Sequence, residues 1–174
     1  VHTLINAIEE HRQVILRSYR SSHGGAVRDR LVEPFAFTTN YVNVWCYDTE
    51  DGKCKIFKTA RIDSVETTST AWQHTEQHRE GFIDIFRMIA QPNSELIPIK
   101  LHLGRLAYNL IMEEYPLSER YITQLNDSRW LLECKVANLQ GVARFVTGLL
   151  DDIDISESPE LKDYITNYIN KYLK

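Results

Sequence analysis

The period of the apolar residues changes near residue 67, and this change limits the chain more than any other feature of its sequence. Before it the pattern is mostly of period two, through QVILRSYRS, DRLVEPFAF, NYVNVWCYD, CKIFKTA and RIDSVE. Alternation sends successive side chains to opposite faces, so these segments read as five short strands, and Asp51-Gly52 is a hairpin signal. Five strands at this spacing predict a small β-barrel behind an amphipathic leading helix, VHTLINAIEEHR. Pro34 has no N–H to give to a ladder, so it marks an edge or a bulge where a barrel strand bends.

Residues 67–94 begin polar, as TTSTAWQHTEQHRE, and then carry one short apolar helical turn around Phe82, Ile85 and Phe86, which reads as a linker with a docking helix. From residue 95 the order becomes strand, helix, strand, strand, helix, strand, helix. ELIPIKLHL alternates; Leu106, Ala107, Leu110 and Ile111 share one helical face; YITQL and SRWLLECKV pair across Asn126-Asp127. Leu139, Val142, Val146 and Leu149 form the stripe of a second helix. DIDI is a short strand, and Ser158 with Pro159 behind it is a helix start. The expected fold class is α+β: a five-stranded barrel with its leading helix over 1–66, a linker over 67–94, and a ferredoxin-like unit over 95–174.

Composition removes several functional classes. A net charge of -4 over 174 residues excludes a basic coat for nucleic acid spread over the whole surface, so any anion site must be local. The three cysteines, Cys46, Cys54 and Cys134, are odd in number and lack C-x-x-C spacing, which predicts reduced thiols in a cytoplasmic protein. No apolar run approaches the ~20 residues of a bilayer span, and the acidic leading helix is not a signal peptide.

INAIEEHRQVILRSYRS, RLVEPF, VWCYDTEDGK and FKTARIDSVE together resemble the WYL domain family. IKLHLGRLAYNLIMEEYP and GVARFVTGLLDDIDISESPEL resemble the C-terminal extension that follows WYL domains in bacterial regulators. The resemblance implies an Sm-like or SH3-like barrel, and the effector half of a protein whose N-terminal winged helix-turn-helix, absent here, binds DNA. The tripeptide that names the family stands here as Val42-Asn43-Val44, with Trp45 one place later. The resemblance also implies an anion pocket at Tyr19, Arg30 and Arg61, with Arg17, Arg28, His23 and Lys58 as further candidates and Trp45 as a stacking platform. Arginine suits such a pocket because its planar fork gives a phosphate two parallel charge-assisted bonds. The implied ligand is a nucleotide or a short single-stranded nucleic acid, and the implied assembly is a homodimer.

Other constellations carry less. His74 and His78 are four apart, but HTEQH is not H-E-x-x-H and offers no third ligand, so no metal site and no cofactor are expected. Asp151, Asp152 and Asp154 read as charges leading to a helix. Arg144 belongs to the extension and is a candidate contact to ligand or partner. No nucleophile-base pair, phosphate loop or paired-carboxylate motif is present, so the chain is not expected to be an enzyme. Three functions fit: the ligand-sensing and dimerisation region of a transcriptional regulator, a freestanding Sm-like nucleic-acid-binding module, or a dimerisation module without ligand.

Overall fold

The computed structural model describes residues 1–21 and 23–174. They divide into two compact units, Val1–Gly81 and Phe82–Lys174. No helix among the described residues is long and apolar enough to cross a membrane.

The first unit opens with α1 (His2–Glu9), whose Leu4 and Ala7, three residues apart, bury one helical face. His11, at a φ of 55°, turns the chain into β1 (Arg12–Arg20). With β2 (Val27–Phe37), β3 (Asn43–Asp48), β4 (Lys53–Lys58) and β5 (Ser64–Ala71) it forms one antiparallel sheet in the order β4-β3-β2-β1-β5. Leu4 and Ala7 pack on Val14, Leu16, Val32, Val44 and Phe57. Fully burying one such large side chain contributes about 1.5–3 kcal/mol, so this layer sets the face that α1 covers.

The expected barrel is not closed. After β4 a single tight turn, Thr59–Arg61, carries the chain across, and β5 pairs with β1, not with β4. Cys54 of β4 instead meets the later chain: its thiol donates to the Gln77 carbonyl at 3.1 Å and accepts from the Arg79 N–H at 3.4 Å. The strand expected over RIDSVE is correspondingly shifted to Ser64–Ala71, which leaves Arg61 on the turn. A bulge falls at Pro34, where the register slips between Pro34 and Ala36 opposite β3.

In the second unit the helical turn expected around Phe82 and Phe86 is a hairpin of two short strands, β6 (Phe82–Ile83) and β7 (Ile89–Ala90). The cause is Asp84. One of its oxygens accepts the N–H groups of Phe86 (2.8 Å) and Met88 (3.0 Å), which holds a turn in place of helical bonds. Next come β8 (Ile97–Leu103), α2 (Arg105–Glu114), β9 (Ile122–Asn126), β10 (Arg129–Val136), α3 (Leu139–Thr147), β11 (Ile153–Asp154) and α4 (Pro159–Tyr172). The four strands form an antiparallel sheet in the order β11-β8-β10-β9.

Leu101, Leu103, Trp130 and Leu132 on the sheet bury against Ile111 of α2, Val142 and Val146 of α3, and Leu161 and Ile165 of α4. Gly141 permits a close approach in this core, since a Cβ there would lie 2.6 Å from Met88 Cγ and 2.9 Å from Phe86 Cβ. Two polar groups pin the helix starts. Asp152 accepts the Ala107 N–H of α2 at 2.8 Å. Ser158 makes no cap bond to its own helix. Its hydroxyl accepts the Lys100 N–H at 2.8 Å and donates to the Lys100 carbonyl at 2.9 Å, which ties α4 to β8.

Candidate functional site

A one-residue bulge in β1 decides which way the candidate side chains point. Leu16 lies opposite Arg30 and Tyr19 opposite Arg28, so one extra residue sits on β1 between these pairs, and Ser18 takes a φ of 51°. Asp29 holds the bulge, accepting the Ser18 N–H at 2.9 Å and pairing with Arg17 at 2.8 Å. Strict alternation from Leu16 would turn Tyr19 outward. The bulge turns it into the core instead, edge-on to Phe57 at 4.9 Å, where its hydroxyl accepts the Lys58 N–H at 3.1 Å.

The bulge also faces Arg20 outward. With Ser18, Val27, Arg61, Ile62 and Asp63 it lines a pocket of about 430 Å³. Arg20 and Arg61 form no ion pair among the described residues, so both guanidinium forks are available to a bound anion. The turn that carries Arg61 is fixed by two backbone bonds, Ile62 N–H to the Thr59 carbonyl and Asp63 N–H to the Arg17 carbonyl, each 3.2 Å.

The other candidates are engaged elsewhere. Arg30 lies on the core face, only 13 % of its side chain exposed, with Nη1 3.2 Å from fully buried Asp48. Lys55 approaches the same Asp48 oxygen at 3.3 Å and also pairs with Asp51. Arg30 Nε is buried and has no hydrogen-bond partner among the described residues. Arg17 is held between Asp29 and Glu66, and Arg28 pairs with Glu50 at 3.4 Å. Trp45 is buried in β3 and offers no open face for stacking. His23 lies in the loop between β1 and β2. In the second unit Arg144 lines a small groove with Tyr164 and Tyr168. The structure thus joins Arg61 to Arg20, which the sequence reading passed over, and not to Tyr19 or Arg30.

A second polar centre went unseen in the sequence. Glu33, fully buried on β2, accepts from Gln13 Nε2 at 2.8 Å, from the N–H groups of Gln73 at 2.6 Å and His74 at 3.0 Å, and from two imidazoles. His74 Nδ1 lies at 3.2 Å and His78 Nε2 at 3.0 Å. A carboxylate can only accept, so each of these ring nitrogens carries the proton. Burial alone would push the Glu33 carboxyl up. The Gln13 amide, the Gln73 N–H and the His78 and His74 rings outweigh burial and hold it at about 2. His74 stacks on Tyr47 at 4.5 Å and His78 on Phe35 at 4.6 Å, so the segment they occupy covers the second face of the sheet. Among the described residues no group of three or more His, Cys, Asp or Glu is arranged to hold a metal ion.

Residues 1–67 match the family model of the WYL domain. No curated protein matches the chain. Among solved structures, the chain is similar to proteasome accessory factor B/C (PafBC) of Arthrobacter aurescens, at 22 % identity and a TM-score of 0.43. That match covers 99 % of this chain and 27 % of the PafBC chain, so the sequence spans little more than a quarter of that protein's length.

Proposed function

We propose, from the WYL domain that residues 1–67 carry, that the chain is the ligand-sensing and dimerisation region of a transcriptional regulator, with an Sm-like first unit and a ferredoxin-like second one. In this reading it binds a nucleotide or short single-stranded nucleic acid, catalyses no reaction, and serves a DNA-binding helix-turn-helix in the cytoplasm. The observation that carries the reading is the pair of guanidiniums, Arg20 and Arg61, that line one pocket of the first unit and form no ion pair among the described residues. A protein of net charge -4 has no general attraction for polyanions and needs such a local concentration of donors to hold a phosphate. Arg30 enters the reading differently from Arg61. Its charge is already opposed by Asp48, so it supports the strand from within and leaves phosphate contact to the turn.

Anisotropy titration of a labelled single-stranded oligonucleotide tests this. Arg61→Ala and Arg20→Ala are each expected to lower affinity about ten- to a hundred-fold, the worth of one charge-assisted phosphate bond. Arg28→Ala, which removes a guanidinium paired with Glu50, is expected to change affinity less than either. Affinity should fall with salt by about one counterion per phosphate neutralised. Equal binding by wild type and both pocket variants overturns the assignment, and light scattering that finds only a 20.3 kDa particle overturns the dimer.

A further inference from the structure

In the second unit β9 pairs with β10 only over Arg129–Leu132, so the outer edge of β10 is left uncovered beyond Leu132. Beside this uncovered stretch opens a slot of about 510 Å³. Its walls include Phe82, Ile85, Leu96, Leu117 and Tyr121. Leu117 is 64 % exposed and Tyr121 37 %, so large apolar side chains face solvent where a covering strand or helix would otherwise bury them. The volume falls within the ~300–1,000 Å³ typical of small-molecule sites, and walls of this kind with a few polar groups at the mouth are the usual construction of such sites.

The polar groups within the slot are committed. Asp84 turns its oxygens to the N–H groups of Phe86, Met88 and Ala137, the last at 3.0 Å. The Cys134 thiol is pushed up to about 12 by burial, with the Asp84 charge adding to the rise, so it is no thiolate. The mouth is different. Arg120 and Lys135 are exposed there and form no ion pair among the described residues. Glu133 is the exposed carboxylate beside them and Asp84, the other carboxylate of the lining, is buried with its oxygens committed to backbone N–H groups, so at the exposed rim two cations face one carboxylate.

We infer that this slot binds a small amphipathic monoanion, its elongated apolar body against Phe82, Leu96 and Leu117 and its carboxylate between Arg120 and Lys135. A nucleotide does not fit the same chemistry, since its base and sugar would lose water to apolar walls that return no hydrogen bonds. An uncharged hydrocarbon would gain nothing from the two cations. The inference is independent of the arginine pocket in the first unit.

The test is calorimetric titration of the full 174-residue chain with octanoate, below the concentration at which it forms micelles, and with 1-octanol as the uncharged counterpart. One saturable octanoate site is expected. Leu117→Asp, at a position exposed enough to leave the fold intact by circular dichroism, should lower octanoate affinity about tenfold or more by placing a like charge in the wall. The double substitution Arg120→Ala with Lys135→Ala should lower octanoate affinity about ten- to a hundred-fold and leave 1-octanol unchanged. Three results would each overturn the site: no saturable uptake of octanoate, octanoate affinity unchanged in both variants, or 1-octanol binding as tightly as octanoate.

Discussion

Each unit buries a carboxylate, and the two behave oppositely. Glu33 in the first unit is held at about 2, well below its ordinary range, whereas burial raises Asp84 in the second above its own. Both side chains are well shielded and both accept at least two backbone N–H bonds, so backbone donors alone do not account for the difference. Glu33 has in addition the Gln13 amide and the imidazoles of His74 and His78, side chains aimed at it from two directions. Among the described residues Asp84 has only the amides of Phe86, Met88 and Ala137. Side-chain donors added to backbone ones can overcome desolvation where backbone donors alone do not. The same contrast runs through the candidate sites, one lined by guanidiniums and the other walled by Leu and aromatic side chains.

The most destructive test of this contrast is Phe86→Ala. Phe86 is fully buried and packs against Tyr115 and Phe145, so its loss should cost about 4 kcal/mol in transfer and cavity terms. Urea unfolding at pH 7 and pH 5 should show the same deficit at both. A deficit that changes markedly between them would mean that the second unit also depends on ionised groups.

Glu33→Gln comes next. The folded carboxyl sits at about 2 against an ordinary 4.5, so it contributes stability that is fully present above about pH 4.5 and is lost as pH falls toward 2. The contribution above that window is on the order of 3 kcal/mol. Unfolding midpoints of wild type and variant should therefore be far apart at pH 7 and draw together near pH 2. Parallel curves across this range would show that Glu33 acts by shape and not by charge.

Asp84→Asn is the mildest. The amide oxygen still accepts one or two of the three N–H bonds, so the cost at pH 7 should be about 1 kcal/mol. Its pH trend should run the other way, because a carboxyl raised in the folded state adds stability as pH falls through that raised value. The wild-type advantage over Asp84→Asn should thus widen on acidification while that over Glu33→Gln narrows. Trends of the same sign would remove the distinction between the two carboxylates.

Much of this architecture was legible as apolar period. The five strands of the first unit and the strand-helix succession after residue 95 follow from which residues need burial, and period reports that directly. The bulge at Ser18 leaves no such mark. It depends on Asp29, eleven residues away, accepting one N–H, and it reverses the facing of Tyr19 and Arg20. Barrel closure was likewise invisible, since the partner of an edge strand is chosen by the turn that precedes it. His74 and His78 show the limit most plainly. Four apart, they read in the sequence only as an incomplete metal motif, yet they converge on a carboxylate 41 and 45 residues upstream through bonds that need no apolar pattern. The hint lay in LVEPF, where an acid interrupts an otherwise apolar strand at a position that must be buried.

Glu33 also has a consequence in time. Its partners at Gln73, His74 and His78 lie 40, 41 and 45 residues along the chain, and Gln13 lies 20 residues before it. A bond set of that span closes a long loop, and its loop entropy is lost before any of the bonds can form. The carboxylate, moreover, sheds its water only when the whole set is in place. Bonds of this span are expected late in folding, so Glu33→Gln should speed unfolding more than it slows folding, which stopped-flow rates across a urea series check.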